Sequence, residues 1–321
     1  MPLRYQAPPW LPGAHAQTLW PLLRRQPLPR YRRERWETPD GDFIDLDWID
    51  APAQAPLLVL FHGLEGSSSS HYARALLSAA GGRGWRGVAV HFRGCSGEPN
   101  RLARAYHSGD SAEIDWILRR LRNGHADVLF AAGVSLGGNA LLKWLGEQGG
   151  AARDVVAAAA AISAPLDLAA AAAALSRGVS RLYARHFLRT LVPKALAKLE
   201  HHPGLFRAED VRAARSLRDF DAVVTAPLHG FRGAADYYAR SSAGQYRYGI
   251  TVQTLLVNAL NDPFLPASAL PTASALPDSV TLETPRAGGH AGFVGGAFPG
   301  QLEWLPRRLL EFFGQFPAVT R

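Results

Sequence analysis

The sequence predicts an α/β protein: a mostly parallel central sheet with helices on both faces, interrupted by a helical insertion. Three observations carry this. Short, continuously apolar runs recur along the chain, as strands buried on both faces require. Helix-period stretches separate them. The interval 165–249 then breaks the alternation with helical patterns and no convincing strand.

Taken in order, "YRRERWETPDGDFIDLDWI" alternates polar and apolar residues around Pro39-Asp40-Gly41, a hairpin signal. "LLVLFHG" from Leu57 and "GVAVHF" from Gly87 read as buried strands. So do "DVLFAAGV" from Asp127, "VVAAAAAI" from Val155 and "TVQTLLVNAL" from Thr251, with "VTLET" from Val280 a weaker member. Helices are expected over Ser70 to Gly81, Ser111 to Asn123, Leu136 to Glu147 and Gln301 to Phe316. In the second of these, Ile114, Ile117, Leu118 and Leu121 form one stripe. Within the insertion, Leu168 to Leu175, Val179 to Leu199 and Ala208 to Asp219 carry helical patterns. The expected division is a core of 1–164 and 250–321, with an N-terminal extension over 1–30, and a helical insertion of 165–249 placed as a lid.

Composition narrows the function classes. The chain has 321 residues, 47% hydrophobic and 19% charged, which is globular. Its net charge of +8 comes almost entirely from arginine, Lys143, Lys194 and Lys198 being the only lysines. Arg24, Arg25, Arg30, Arg32, Arg33 and Arg35 form one dense cluster without any nucleic-acid motif, so nucleic acid is not an expected partner. The cluster reads as a solvated basic face, with contact to an anionic membrane surface as the second reading. Cys95 is the only cysteine, so no internal disulfide forms. Prolines occupy the N-terminus where a signal peptide needs an apolar stretch, and the stretch from Val155 to Leu175 is interrupted by Pro165 and Asp167. A cytoplasmic protein is expected.

The chemistry centres on "GVSLGG". In a chain with 31 glycines a bare Gly-x-Ser-x-Gly is weak. Here it follows a buried run and precedes a helix, which is the context of an exposed nucleophile on a tight turn. That turn tolerates only small neighbours, and Gly133, Gly137 and Gly138 supply them. Ser135 is therefore the expected nucleophile. It needs a base, and His290, in the glycine-rich loop after the last strand, is the best placed of eleven histidines. The base needs a carboxylate, and Asp262 directly follows the preceding strand. An oxyanion would be held by the backbone N–H groups of Leu136, after the serine, and Leu64, after "LLVLFHG". His62 and Gly63 shape that loop. Cys95 shows no sign of activation, and His201-His202 lack the spaced partners of a metal site. No metal and no cofactor are expected.

The segments "WLPGAHAQTLWP", "FHGLEGSSSSHY", "HFRGCSGEPNRLARAYHSGD", "GVSLGGNALLKWLGE", "GFRGAADYYARSS", "NALNDPFLP" and "GGHAGF" resemble the α/β-hydrolase superfamily, and within it the YheT-like esterases related to the ABHD1/ABHD3 group. The resemblance spans nearly the whole chain and falls on Ser135, Asp262 and His290. Asn261 departs from it, since relatives often carry a second aspartate there. The resemblance implies carboxylic ester hydrolysis, on short- to medium-chain acyl esters or lipid. The triad does not distinguish water from an alcohol acceptor, so acyl transfer is the alternative, and a non-catalytic binding protein on this fold is a third reading.

Overall fold

The structure, a computed structural model, describes residues 4–24, 26–125 and 128–316. Eight strands form one sheet in the order β1-β2-β4-β3-β5-β6-β7-β8. The hairpin β1 (Arg32–Glu37) and β2 (Phe43–Ile49) is antiparallel and pairs antiparallel to β4 (Arg86–His91). The strands β4, β3 (Leu57–Phe61), β5 (Leu129–Val134), β6 (Ala158–Ile162), β7 (Thr254–Val257) and β8 (Val280–Glu283) are mutually parallel.

Side chains alternate across each strand, so the apolar runs feed two cores. Leu57, Val59 and Phe61 pack on one face with Ile114 and Leu118 of α3 (Ser111–His125) and Leu141 and Trp144 of α4 (Leu136–Gln148). Leu58 and Leu60 pack on the other with Leu76 and Leu77 of α2 (His71–Gly82) and Leu309 and Phe313 of α11 (Trp304–Phe313). This is the predicted fold class, with covered faces that explain why β3, β5 and β6 contain no polar side chain.

Several boundaries differ from the sequence reading. The β6 strand begins only at Ala158, because the amides of Val155 and Val156 turn back to the Ala152 carbonyl. The β7 strand stops at Val257, after which the Asn258 side chain, rather than the ladder, binds Ala164. The start of the run at Asp127 lies outside the described residues. Gln301 pairs with Gly295 as a bridge and so cannot open the last helix.

Residues 165–249 form α5 (Leu168–Leu175), α6 (Arg181–His201), α7 (Ala208–Ala213), α8 (Leu217–Phe220), the short α9 (Ala226–Leu228) and α10 (Ala234–Ser241), with no strand among the described residues. The single helix read over 208–219 is two: Ser216 and Asp219 make a reciprocal capping box that starts the second. From the sequence, α9 and α10 are not read within the insertion, and α1 (Ala14–Leu23) is not read at all. Helix α1 contains Pro21, buries Gln17 and Thr18, and exposes Leu19, Leu22 and Leu23. Its polarity is inverted, so an apolar-face search passes over it.

Candidate active site

The turn from β5 into α4 holds Ser135 at φ 54°, ψ −118°, a region sparsely populated by residues with side chains. Such strain costs about 1–3 kcal/mol and persists only where the surroundings impose it. Here the Ser135 N–H donates to the Ile162 carbonyl at 2.8 Å, and the Ser135 carbonyl accepts from Asn139 N at 3.0 Å. The glycines are sterically required. A Cβ on Gly133 would lie 2.5 Å from the Gly137 carbonyl oxygen, and one on Gly137 would lie 2.5 Å from that of Phe61. The second contact also brings the loop after β3 against the start of α4.

In that loop, a Cβ on Gly63 would sit 3.2 Å from the Cβ of Ser135. The N–H of Gly63 donates to Tyr72 Oη at 2.9 Å and that of Glu65 to Tyr106 Oη at 2.8 Å. Between them, the Leu64 N–H meets no acceptor among the described residues, and neither does that of Leu136 at the N-terminus of α4. Both residues line one cavity with Ser135. His62 is fully buried, its Nδ1 bonded to the Gly63 carbonyl at 2.7 Å while its Nε2 accepts from Phe92 N at 3.1 Å. Burial holds its pKa down to about 3, so it stays neutral and braces the loop.

Asp262 and His290 come from the loops after β7 and β8. Their side chains meet at 2.8 Å, His290 Nδ1 to Asp262 Oδ2. The other carboxylate oxygen accepts from Phe264 N at 2.8 Å, and the Phe264 ring stacks on the imidazole with centroids 4.0 Å apart. The aspartate is buried, whereas 11% of the histidine side chain is exposed. Both Ser135 and His290 abut the end of β6: Ser135 through Ile162, His290 through its neighbour Ala291, whose N–H donates to Ser163 Oγ at 3.0 Å. No hydrogen bond joins Ser135 to His290 among the described residues; Phe264, stacked on the histidine, lines the same cavity as the serine.

Helix α1 explains how the glycine-rich loop is held. Thr18 Oγ1 accepts from His290 N at 2.9 Å, and Gln17 Oε1 accepts from Gly288 N at 2.8 Å and from Asn261 Nδ2 at 2.9 Å. Asn261 Oδ1 in turn accepts from Gly289 N at 3.0 Å. Sequence reasoning missed Gln17, Thr18, Phe264 and Ser163. The first two lie in the quoted stretch "GAHAQTLWP", where the only signal was two polar residues in an otherwise apolar segment.

The cavity has a volume of about 720 Å³. The helices of 165–249 supply most of its apolar lining, including Leu168, Leu175, Phe187, Leu191 and Phe220. Toward α6 it becomes charged. Lys194 Nζ lies 2.8 Å from Glu65 Oε2, and Tyr106 Oη donates to Glu65 Oε1 at 2.8 Å. Glu65 itself has φ 55°. Lys198 Nζ donates to Asn100 Oδ1 at 2.7 Å and to the Leu102 carbonyl at 2.8 Å, and burial lowers its pKa to about 8.

The remaining sequence candidates separate. Burial pushes the Cys95 thiol up to about 12, the opposite of activation. No group of three metal-binding side chains occurs among the described residues, and His202 Nε2 is bonded to the Arg101 carbonyl. The basic cluster is paired only in part, since Arg24 and Arg30 make no ion pair among the described residues. Arg33 and Arg35 pair with Asp47 and Asp45 at 2.7 Å across the β1–β2 hairpin, and Arg32 with Asp50 at 2.8 Å. Arg25 lies outside the described residues.

A family model described as the alpha/beta hydrolase fold matches residues 56–297. The chain belongs to this α/β hydrolase family and is an enzyme of the hydrolase kind. It is 43% identical to the Escherichia coli protein named "Putative esterase YheT", over 94% of this chain and 90% of that protein. It is 30% identical to the mouse protein named phospholipase ABHD3, over 94% of this chain and 76% of that one. The esterase Pf2001 of Pyrococcus furiosus superposes with a TM-score of 0.58 at 15% identity, covering 89% of this chain and 93% of that one, a likeness of fold.

Proposed function

We propose that the protein is a serine hydrolase of carboxylic esters, with Ser135 as nucleophile, His290 as base and Asp262 as its orienting acid. The observation that carries the reading is the strained backbone of Ser135 at the wall of an apolar cavity, beside the hydrogen-bonded His290–Asp262 pair. Asp262, accepting from Nδ1, leaves Nε2 as the histidine's free acceptor. His290 takes the proton of Ser135 Oγ as it attacks the ester carbonyl, and the tetrahedral oxyanion is held by the N–H groups of Leu64 and Leu136. Imidazolium then protonates the departing alcohol. Water, deprotonated by the same histidine, releases the acid and restores the serine.

The apolar lining supports an acyl chain of short to medium length or a lipid acyl group, with residues 165–249 acting as the lid over a core of 1–164 and 250–321. The test is a chain-length series of p-nitrophenyl esters on wild type and Ser135→Ala, with fluorophosphonate labelling of both. Ester hydrolysis and labelling are expected for the wild type, and loss of both in the variant, with a rate loss of at least about 10³-fold. Equal hydrolysis by the two proteins sinks the reading; labelling without hydrolysis, but with ethyl ester formation from added ethanol, replaces it with acyl transfer.

A further inference from the structure

Helix α1 shows the solvent its apolar side. His15, Leu19 and Leu22 lie at i, i+4 and i+7 and so share one stripe. Leu22 and Leu23 are 65% and 72% exposed. The stripe continues onto α6, because His15 stacks on Tyr183 with Nδ1 and Oη 3.1 Å apart, and the neighbouring Leu182 is 60% exposed. On its other flank, Trp20 packs against Trp10 and Phe298, and Phe298 is 70% exposed. Leu260, also exposed, precedes the Asn261 that binds Gln17. Most of the large apolar side chains exposed by the described residues thus border one surface. Soluble proteins rarely leave such a patch uncovered without use.

The charge on the same elements has one sign. Positions 1–33 contain no aspartate or glutamate, and neither do positions 168–199. The second stretch carries Arg177, Arg181, Arg185 and Arg189, all exposed and without an acidic partner among the described residues. Arg32, Arg33 and Arg35, the arginines most conspicuous in the sequence, are neutralised in the hairpin. Arg24, at the C-terminal end of α1, and Arg30 also make no ion pair among the described residues, so positive charge without an acidic partner lies on α6 and at the end of α1, beside the apolar stripe. A second copy of the chain would bring like charges face to face.

We propose that the α1–α6 face docks on an anionic lipid surface, apolar side chains entering the headgroup boundary and the arginines of α6 meeting the lipid phosphates. No helix among the described residues is long and apolar enough to cross a membrane, and the proposed contact is one made by this surface. The face lies against the site: the reverse side of α1 holds the His290 loop, and Phe187 of α6 lines the cavity. The inference concerns binding and does not depend on the ester-hydrolase reading.

The full chain is tested by flotation with vesicles of phosphatidylcholine alone and of phosphatidylcholine with phosphatidylglycerol, at low and high salt. Wild type is expected to float with the anionic vesicles, weakly with the neutral ones, and less as salt rises. L22S/L182S and R181E/R185E are each expected to lose about tenfold or more of the partition while retaining the wild-type circular dichroism. Equal partition into both lipids, or no partition by wild type, overturns the proposal without any variant. So does a concentration-dependent dimer that L22S/L182S dissolves, which would assign the face to self-association.

Discussion

Thr18 touches no substrate, yet its hydroxyl is the acceptor for the backbone N–H of His290. It is a positioning residue for the proposed base. Thr18→Val keeps the shape and leaves that N–H unpaired, which costs about 1–3 kcal/mol of stability. A small displacement of the imidazole would also weaken the proposed proton transfer from Ser135. The expected outcome is a kcat on p-nitrophenyl butyrate lowered by about tenfold or more, with KM little changed, and recovery in Thr18→Ser. Steady-state kinetics and urea unfolding measure both effects; an unchanged kcat removes Thr18 from the machinery. Ser135 could be read from the chain because it follows the end of β5, and Asp262 and His290 because each lies in the loop after a strand that periodicity locates. Thr18 could not, because its partner is 272 residues away and its own helix hides in an inverted pattern.

At the scale of elements, α6 grips the loop that carries Leu64. Lys194 reaches Glu65, whose carboxylate and N–H both engage Tyr106. The Lys194 side chain is 44% exposed, so its ion pair contributes at most about 1 kcal/mol. The half-buried Tyr106–Glu65 hydrogen bonds hold the loop at its positive φ. Lys194→Met is therefore expected to change kcat less than about threefold, and Glu65→Ala to lower it by about tenfold or more. A larger loss in Lys194→Met than in Glu65→Ala, measured on the same ester, would show that closure of α6 rather than the loop sets the rate. The sequence showed that 165–249 is helical, because local periodicity reports helices. It did not show the break at Ala214–Ser216 or which side chains enter the cavity, since both depend on packing against the sheet.

Across the whole molecule, His62 is buried and His71, His107 and His229 are half-buried among the described residues, and all four are held toward the neutral form. Burial lowers His62 and His229 to about 3 and His71 and His107 to about 4, from 6.5. A base whose folded pKa is depressed contributes stability that is complete above the unfolded value and is lost as pH falls through it toward the folded one. Asp221 and Glu113 work the other way: burial raises Asp221 to about 6 and lifts Glu113 above the ordinary carboxylate range, so their contribution grows as pH falls toward the unfolded values. Two carboxyls do not offset four imidazoles. The melting temperature is expected to be nearly flat from pH 8 to 6.5 and to drop steadily between 6.5 and 4, above the range where Asp40 and Asp47, held low by their ion pairs, begin to protonate. Scanning fluorimetry across this range checks it; a flat profile down to pH 4.5 contradicts the burial argument.

The amino-acid pattern is enough for the parallel sheet, the tight turn bearing Ser135 and the placing of Asp262 and His290 in loops that follow strands. Each follows from local periodicity or from a glycine that no other residue can replace. Folding in three dimensions adds that Asp262 meets His290, that α1 braces the histidine loop, that the hairpin arginines are paired, and that α1, with its exposed leucines, touches the arginine-bearing α6. These facts join residues distant in the chain, and a linear pattern reports the burial of a residue without naming its partner.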